Sequence, residues 1–411
     1  MGKTGNKGKS KMKKIPYANG EVPFCKDRFA DQEFPEITIE WLLGFVKELG
    51  LPITLRPYQE RIVVKTVNHF LQDKMNCILI ESATGSGKTV MGLMVCLVLQ
   101  KLTGAKTSWT TLRRELLRQA NETNTDIFLQ NVLMKTISMM GKNPDGNDVL
   151  VVDEAHKDAT SSMAHIHAHV NARFIILLSA TPIRSDKATI FYDKIIKDSG
   201  IRALIRDKWL SEFDLYSIEE WTPECVAERY LSEMEKWGKT AVFFHKREQC
   251  QDFMDILTIA GVDCEMITGD SDREVQLQRF KEGEVQVVVN MMVLTEGFDC
   301  PSLETVFVRD SGKGTTVQMA GRVLRLWEVD GELITKNIIQ SVETGYPFVK
   351  EATPVGKFVW KNDEWKELGH NNVVNKMIKS MLAKKIAHAQ REAQRERTLQ
   401  EHEDAKLLAQ G

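Results

Sequence analysis

The sequence predicts an α/β protein made of two tandem lobes, each a parallel sheet flanked by helices, followed by a short C-terminal helical extension. Two observations carry this. Short unbroken apolar runs, the pattern of strands buried on both faces, alternate with longer stretches of helical period. The alternation also occurs twice, on either side of a less apolar stretch from Ser185 to Pro223. A length of 411 residues suits two domains of ordinary size.

The pattern from Ile37 to Leu71 is helical, broken by Gly50 and Pro52. Strands follow at Cys77–Ile80, Val149–Val152 and Phe174–Leu178, and in the second half at Ala241–Phe244, Cys264–Ile267, Val285–Val289 and Thr305–Val308. A further strand lies near Ile334–Gln340, then a Trp-containing segment through Trp365 and a long helix from about Asn372 to Leu408. The mixed charges of that helix suit a solvated or oligomer-forming surface better than a DNA-reading one. The expected division is a basic arm over 1–35, a first lobe over 36–200, a linker over 201–223, a second lobe over 224–340 and a largely helical extension over 341–411.

With 42% hydrophobic and 27% charged residues, the chain has the composition of a globular protein that can bury real cores. A formal net charge of -2 excludes a uniformly basic coat, so phosphate binding must come from local clusters or backbone amides. The seven cysteines lie far apart with no CxxC pair, which argues against a disulfide framework or zinc module and for a reducing, cytoplasmic compartment. The opening MGKTGNKGKSKMKK carries six lysines and no acid, with no apolar stretch after it. It reads as a solvated tail or a phosphate-tethering arm. No run of about 18 apolar residues occurs, so no membrane partner is expected.

The strongest local signal is ESATGSGKT, set between the strand Cys77–Ile80 and an apolar helix from about Val90 to Leu102. Strand, Gly-rich turn and helix make a phosphate cradle over Thr84, Gly85, Ser86, Gly87, Lys88 and Thr89. The glycines let backbone N–H groups approach phosphates, and the helix N-terminus adds its dipole. Lys88 reaches the β- and γ-phosphates of ATP, and the Thr89 hydroxyl meets Mg²⁺. Ser82 stands where the general pattern has Gly. Sixty-five residues after Lys88, the strand Val149–Val152 delivers Asp153 and Glu154, followed by Ala155 and His156. Adjacent carboxylates at the end of a buried strand suit hydrolysis of Mg²⁺-ATP, with Asp153 on the metal side and Glu154 as general base on water.

These residues resemble the superfamily 2 helicases of the DEAH-box type. Other motifs occur in the same order over roughly residues 55–325. Leu55-Arg56-Pro57-Tyr58-Gln59 is similar to the adenine-reading Q motif, which implies nucleotide contacts for Arg56 and Gln59. Ser179-Ala180-Thr181 resembles motif III, which implies that Ser179 and Thr181, with His156, couple nucleotide state to lobe closure. Arg113 and Arg114 fall in a stretch like motif Ia. Phe243-Phe244-His245-Lys246 resembles motif IV, and Thr295-Glu296-Gly297-Phe298-Asp299 resembles motif V, implying nucleotide contacts for Gly297 and Asp299. Arg113, Arg114, Lys246 and Thr295 are candidate nucleic-acid contacts. The run Gln318–Arg325, QMAGRVLR, resembles motif VI; Gln318, Arg322 and Arg325 are implied in catalysis, the two arginines sharing one face of a short helix that begins near Thr316.

The resemblance implies two RecA-like lobes, ATP and Mg²⁺ as cofactors, and a helicase or translocase as the activity. The wording of TEGFDCPSLETV and QMAGRVLR is more similar to the XPB, phage UvsW and restriction-subunit branch than to RNA-processing DEAH proteins. That favours duplex, forked or branched DNA as the partner, in repair, recombination or replication, loosely of phage or bacterial source. An RNA helicase, or a DNA-stimulated ATPase that remodels a protein partner, remains open. His165, His167 and His169 do not share one helical face, which argues against a metal, and Trp109, Trp209 and Trp221 read as packing residues.

Overall fold

The computed structural model describes residues 29–369 except 30, 143–145, 158–165, 168–169, 183–189, 191, 270, 292–293 and 295–297. The lysine-rich arm and the expected helix from Asn372 lie outside the described residues. The chain divides into two compact units, Met1–Leu204 and Ile205–Gly411.

The first unit holds a six-stranded sheet built from β1 (Cys77–Glu81), β2 (Thr107–Thr111), β3 (Val132–Thr136), β4 (Val149–Asp153), β5 (Phe174–Ser179) and β6 (Lys194–Ile196). The order across the sheet is β3-β2-β4-β5-β1-β6, and every pair is parallel. β4 and β5 are buried along their whole length, as expected of strands covered by helices on both faces. The helical pattern from Ile37 resolves into two helices. Ile39–Glu48 is capped by the Thr38 hydroxyl, which accepts from Trp41 N at 3.2 Å, and Pro57–Leu71 has Pro57 in its first turn.

The helix Lys88–Thr103 is buried continuously from Met91 to Leu99, so it has no solvent face along its middle. It stops at Gly104, whose φ of 67° supplies the left-handed cap. Gly92 lets it lie close to the sheet. A Cβ there would sit 2.9 Å from Leu178 Cδ1 and 3.0 Å from Trp109 Cη2. Gly92→Ala is therefore expected to lower the stability of the first unit by roughly 1–3 kcal/mol, because both neighbours are fully buried and resist displacement. Denaturant unfolding followed by Trp fluorescence measures this, and an unchanged midpoint would show that the two side chains give way.

The second unit holds an eight-stranded sheet, and its extent corrects two sequence-based expectations. Its strands are β7 (Phe213–Ile218), β8 (Thr240–Phe243), β9 (Cys264–Met266), β10 (Val287–Asn290), β11 (Thr305–Phe307), β14 (Lys336–Ser341), β15 (Lys357–Lys361) and β16 (Glu364–Glu367). A separate small hairpin joins β12 (Glu328–Val329) to β13 (Glu332–Leu333). The order is β16-β15-β7-β14-β11-β8-β10-β9, parallel except for the antiparallel β15–β16 pair.

The segment 201–223 is thus not a bare linker, because β7 lies within it and pairs with β14 from Phe213↔Lys336 to Ile218↔Ser341. Nor does the sheet end at residue 340: the described part of 341–369 adds a strand hairpin, and its helical part is the single short turn Phe348–Lys350. β7 escaped the apolar-run criterion because Asp214 and Ser217 interrupt it. Asp214 is satisfied, since its Oδ1 accepts from Gly356 N at 2.7 Å and so fastens the start of β15. Tyr216 of β7 then packs against Phe358 at 4.7 Å, Trp365 at 5.0 Å and Trp237 at 5.1 Å between ring centroids. Among the described residues, no helix is long and apolar enough to cross a membrane.

Candidate nucleotide site and the motif loops

In a parallel sheet the chain leaves every strand at the same edge, so loops distant in sequence gather there. β1, β5 and β4 are neighbours in the first sheet, and each ends in one of the predicted motifs. The pairing Glu81↔Ser179 and Asp153↔Leu178 aligns the ends of the three strands. Beyond the last ladder pair, Ser82 N donates to Ser179 O at 3.0 Å, tying the phosphate loop to the motif after β5.

The loop from Ser82 to Gly87 is held by its own side chains and by the preceding helix. The Ser82 hydroxyl donates to Ser86 Oγ at 2.7 Å, and Ser86 Oγ donates to Ala83 O at 2.7 Å. Ser82 thus has a structural use that Gly could not supply. Gly85 and Gly87 have φ of 81° and 77°, in the left-handed region that favours glycine. At Gly87 space is also limiting, because a Cβ would lie 2.5 Å from Gln59 Nε2. The helix begins at Lys88, two residues earlier than the apolar pattern indicated, so its first turn opens directly off the loop. Lys88 Nζ is 3.3 Å from both Ser82 O and Ala83 O. Thr84 is buried and Thr89 half-buried on either side of this turn.

Gln59 is buried beneath the loop. Its Nε2 donates to Ser86 O at 2.9 Å and its Oε1 accepts from Arg56 N at 2.9 Å. Tyr58, not singled out from sequence, donates its hydroxyl to the same Ser86 carbonyl at 2.6 Å and receives Arg56 Nη1 at 3.1 Å. Burial raises the Tyr58 hydroxyl above its ordinary pKa. The Q-like segment therefore anchors the phosphate loop, and each end of the Gln59 amide retains capacity for one more bond.

Asp153 is 5% exposed at the end of β4, and Glu154 N donates to its Oδ1 at 2.9 Å. Glu154 takes φ 56°, an uncommon conformation for a residue with a long side chain and of the kind found at functional sites. From it a chain of contacts runs to the next motif. His156 Nδ1 is 3.4 Å from Glu154 Oε2 and 3.4 Å from Ser179 Oγ. The Ser179 hydroxyl donates to Thr181 O at 2.6 Å and accepts from Thr181 N at 3.1 Å. Ser179 bridges His156 and the backbone of Thr181. The structure thus brings together Glu154, His156, Ser179 and Thr181.

The donor set fits a magnesium nucleotide. The loop offers left-handed glycines, a helix N-terminus and a lysine, and the neighbouring strand end offers a buried carboxylate. Among the described residues no group of three or more His, Cys, Asp or Glu could hold a metal by itself, so Thr89 and Asp153 would share the ion with phosphate oxygens.

In the second unit the motif V and VI residues are joined to each other. Arg322 Nη1 donates to Phe298 O at 3.1 Å, and Arg325 Nε forms an ion pair with Asp299 Oδ1 at 2.6 Å. The arginines do not share a helix face as expected. The helix runs from Lys313 to Gly321, so Arg322 is its C-cap and Arg325 lies past it. Gln318 is buried inside that helix. Lys336 of β14 is another residue the sequence did not mark. It is fully buried, and its ammonium donates to Pro301 O at 2.9 Å and Leu303 O at 2.7 Å, bracing the turn after Asp299. Burial pulls its pKa down to about 8.

Other candidates are more scattered. Arg113 precedes the helix Arg114–Ile127 as its N-cap, Arg114 is exposed in the first turn, and Lys246 is exposed before the helix Arg247–Ile259. Thr295 and Gly297 lie outside the described residues, as do His165 and His169; His167 is buried. Trp109 is core, and Trp221 Nε1 donates to Phe243 O at 3.2 Å.

Two family models match, the type III restriction enzyme res subunit over residues 52–143 and 132–184 and the helicase conserved C-terminal domain over 222–326. IRC3 of Saccharomyces cerevisiae, named as an ATP-dependent helicase, is 26% identical over 341 residues, covering 66% of this chain and 49% of that protein. The chain spans about half the length of the curated relatives it matches first. Among solved structures, the fragment of an HsdR subunit of a type I restriction enzyme from Vibrio vulnificus gives a TM-score of 0.59 at 20% identity, covering 78% of this chain and 72% of that one. A variant of S. cerevisiae Dbp5 bound to RNA and ADP BeF3 gives 0.56 at 16% identity, covering 86% and 99%. These two confirm the expected fold of two RecA-like lobes, and the two matched domains, a restriction-enzyme res-subunit domain followed by a helicase C-terminal domain, are those that the resemblance to the superfamily 2 helicases implied.

Proposed function

We propose that this chain is an ATP-driven helicase or translocase that tracks along DNA, duplex, forked or branched, in a reducing cytoplasm. The observation that carries the reading is the convergence of phosphate loop, acidic pair and Ser-Ala-Thr motif at three adjacent strand ends. In this reading Lys88 and the loop amides hold the phosphates, and Glu154 takes a proton from the attacking water. Thr89 and Asp153 would hold a magnesium ion, which when bound would supply positive charge at the phosphate oxygens. Arg322 and Arg325 stabilise charge on the transferred phosphoryl group. The contacts from Glu154 through His156 and Ser179 to Thr181 pass the state of the nucleotide to the motif that governs lobe closure.

A tracking enzyme grips mainly phosphates, so its affinity should fall steeply with salt and depend little on sequence. The test is ATPase rate against matched single-stranded DNA, duplex, forked DNA and RNA at two salt concentrations. DNA is expected to stimulate most, forks at least as well as single strands, with a sharp loss at the higher salt. Stronger stimulation by RNA than by every DNA would overturn the choice of polymer, and no stimulation by any polymer would overturn the motor.

A further inference from the structure

The carboxyl ends of β8, β11 and β14, three neighbours in the second sheet, surround a hollow of about 540 Å³. Its lining includes His245 after β8, Arg309 and Ser311 after β11, Tyr346 after β14, and Lys313 and Thr315 from the first turn of the helix Lys313–Gly321. Apart from His245, none of these belongs to a motif read from the sequence.

The acids at this edge are engaged in holding it together. Asp310 Oδ1 accepts from Gly345 N at 2.7 Å and Thr344 Oγ1 at 3.3 Å, pinning the turn that carries Tyr346 to the end of β11. The Tyr346 hydroxyl donates to Glu351, which also pairs with Lys313 Nζ at 3.3 Å. Arg309 is held in place through Nη1, which reaches Ser311 Oγ at 2.7 Å, His245 Nδ1 at 3.0 Å and Asp310 O at 3.0 Å. Burial and the Arg309 charge keep the His245 pKa below its ordinary value, so at neutral pH it orients the guanidinium as an uncharged acceptor.

The rest of the lining suits an anion beside a flat ring. The helix N-cap is Gly312, which has no side chain to cap the first-turn N–H groups, and the macrodipole adds positive potential there. The ammonium groups of Lys350 and Lys313 lie 4.9 and 6.0 Å from the centroid of the Tyr346 ring. Two ammonium groups over an aromatic ring place phosphate-binding charge beside a stacking surface, the combination that binds single strands through phosphate and base together.

We propose that this hollow receives one nucleotide of a single nucleic-acid strand, its phosphate against Arg309, Lys313 and the first turn of the helix, and its base on Tyr346. The site rests on the motor reading and adds to it a strand contact in the second lobe. It also has a consequence for coupling: the helix whose N-terminus meets the strand runs to Gly321 and is capped by Arg322, so one rigid element links strand contact to the first of the motif VI arginines.

The test is fluorescence anisotropy of a labelled single-stranded DNA, and of a matched RNA, on the full chain over a range of salt. Three variants are compared, Arg309→Gln, Lys313→Gln and Tyr346→Leu. Lys313 is exposed, so its variant keeps the fold even if Arg309→Gln does not, and thermal melting identifies any that unfold. Arg309→Gln and Lys313→Gln should each weaken binding by about tenfold and reduce the salt slope by about 1, and Tyr346→Leu should weaken binding without changing the slope. Equal losses on RNA support the site for either polymer. Folded variants with wild-type affinity and slope would overturn the site while leaving the motor intact. A wild-type chain that binds neither strand would overturn the motor reading and the site with it.

Discussion

Glu154→Gln is expected to bind ATP and to turn it over at least about 10³-fold more slowly, since it removes a general base while preserving shape. The substitution keeps the side chain's length and its reach toward His156 Nδ1, which lies 3.4 Å from the carboxylate. The backbone at φ 56° faces the same steric demand with Gln as with Glu. Nucleotide therefore accumulates on the protein, and a complex with DNA and unhydrolysed ATP should become trappable. Single-turnover hydrolysis and nucleotide retention on a filter measure the two halves of the expectation. Near-normal turnover would show that another group accepts the proton. Lys88→Ala should differ, because it removes the cation facing the phosphates and so weakens binding as well as rate.

The second large effect is expected at the motif VI arginines. Alanine at Arg322 or Arg325 should lower kcat by about 10³-fold or more while ATP affinity falls much less, the signature of contacts made mainly in the transition state. The structure separates the two. Arg322 is 6% exposed and also holds the Phe298 carbonyl, so its loss leaves a buried acceptor unmet. Arg325 is more open and balances Asp299. Asp299→Asn is the informative companion: it removes the ion pair but leaves both arginines, so it should cost much less than Arg325→Ala if the guanidinium itself acts on phosphate. A large loss of nucleotide binding with unchanged turnover at saturation would sink the assignment.

What the sequence made legible follows from burial. β1, β4 and β5 lie inside a parallel sheet under helices, so they must be apolar runs, and their turns must carry the Gly, Asp and Ser residues that a motif search finds. β2 was missed because it reads Thr-Ser-Trp-Thr-Thr, polar by composition although every residue is buried. The β-branched and aromatic content was the usable signal there. β7 was missed because Asp214 and Ser217 break an otherwise apolar run. The two arginines were placed on one helical face because a spacing of three fits a turn of helix, but Gly321 ends the helix just before them. Lys336 gave no signal, since a buried lysine is recognised only from the carbonyls around it.

The strand order also sets when the first lobe can assemble. β1 lies between β5 and β6, so Cys77 waits for Ile175 and Ile78 for Lys194, each far along the chain. Until those partners exist, the apolar run Cys77–Ile80 has neither edge paired, although it is fully buried in the finished sheet. Contacts this distant in sequence make folding slow and leave sticky strand edges open during synthesis. The phosphate loop hangs from β1, so it takes shape only once the chain has been made past residue 196, and the capacity to hold nucleotide marks a lobe that has finished folding.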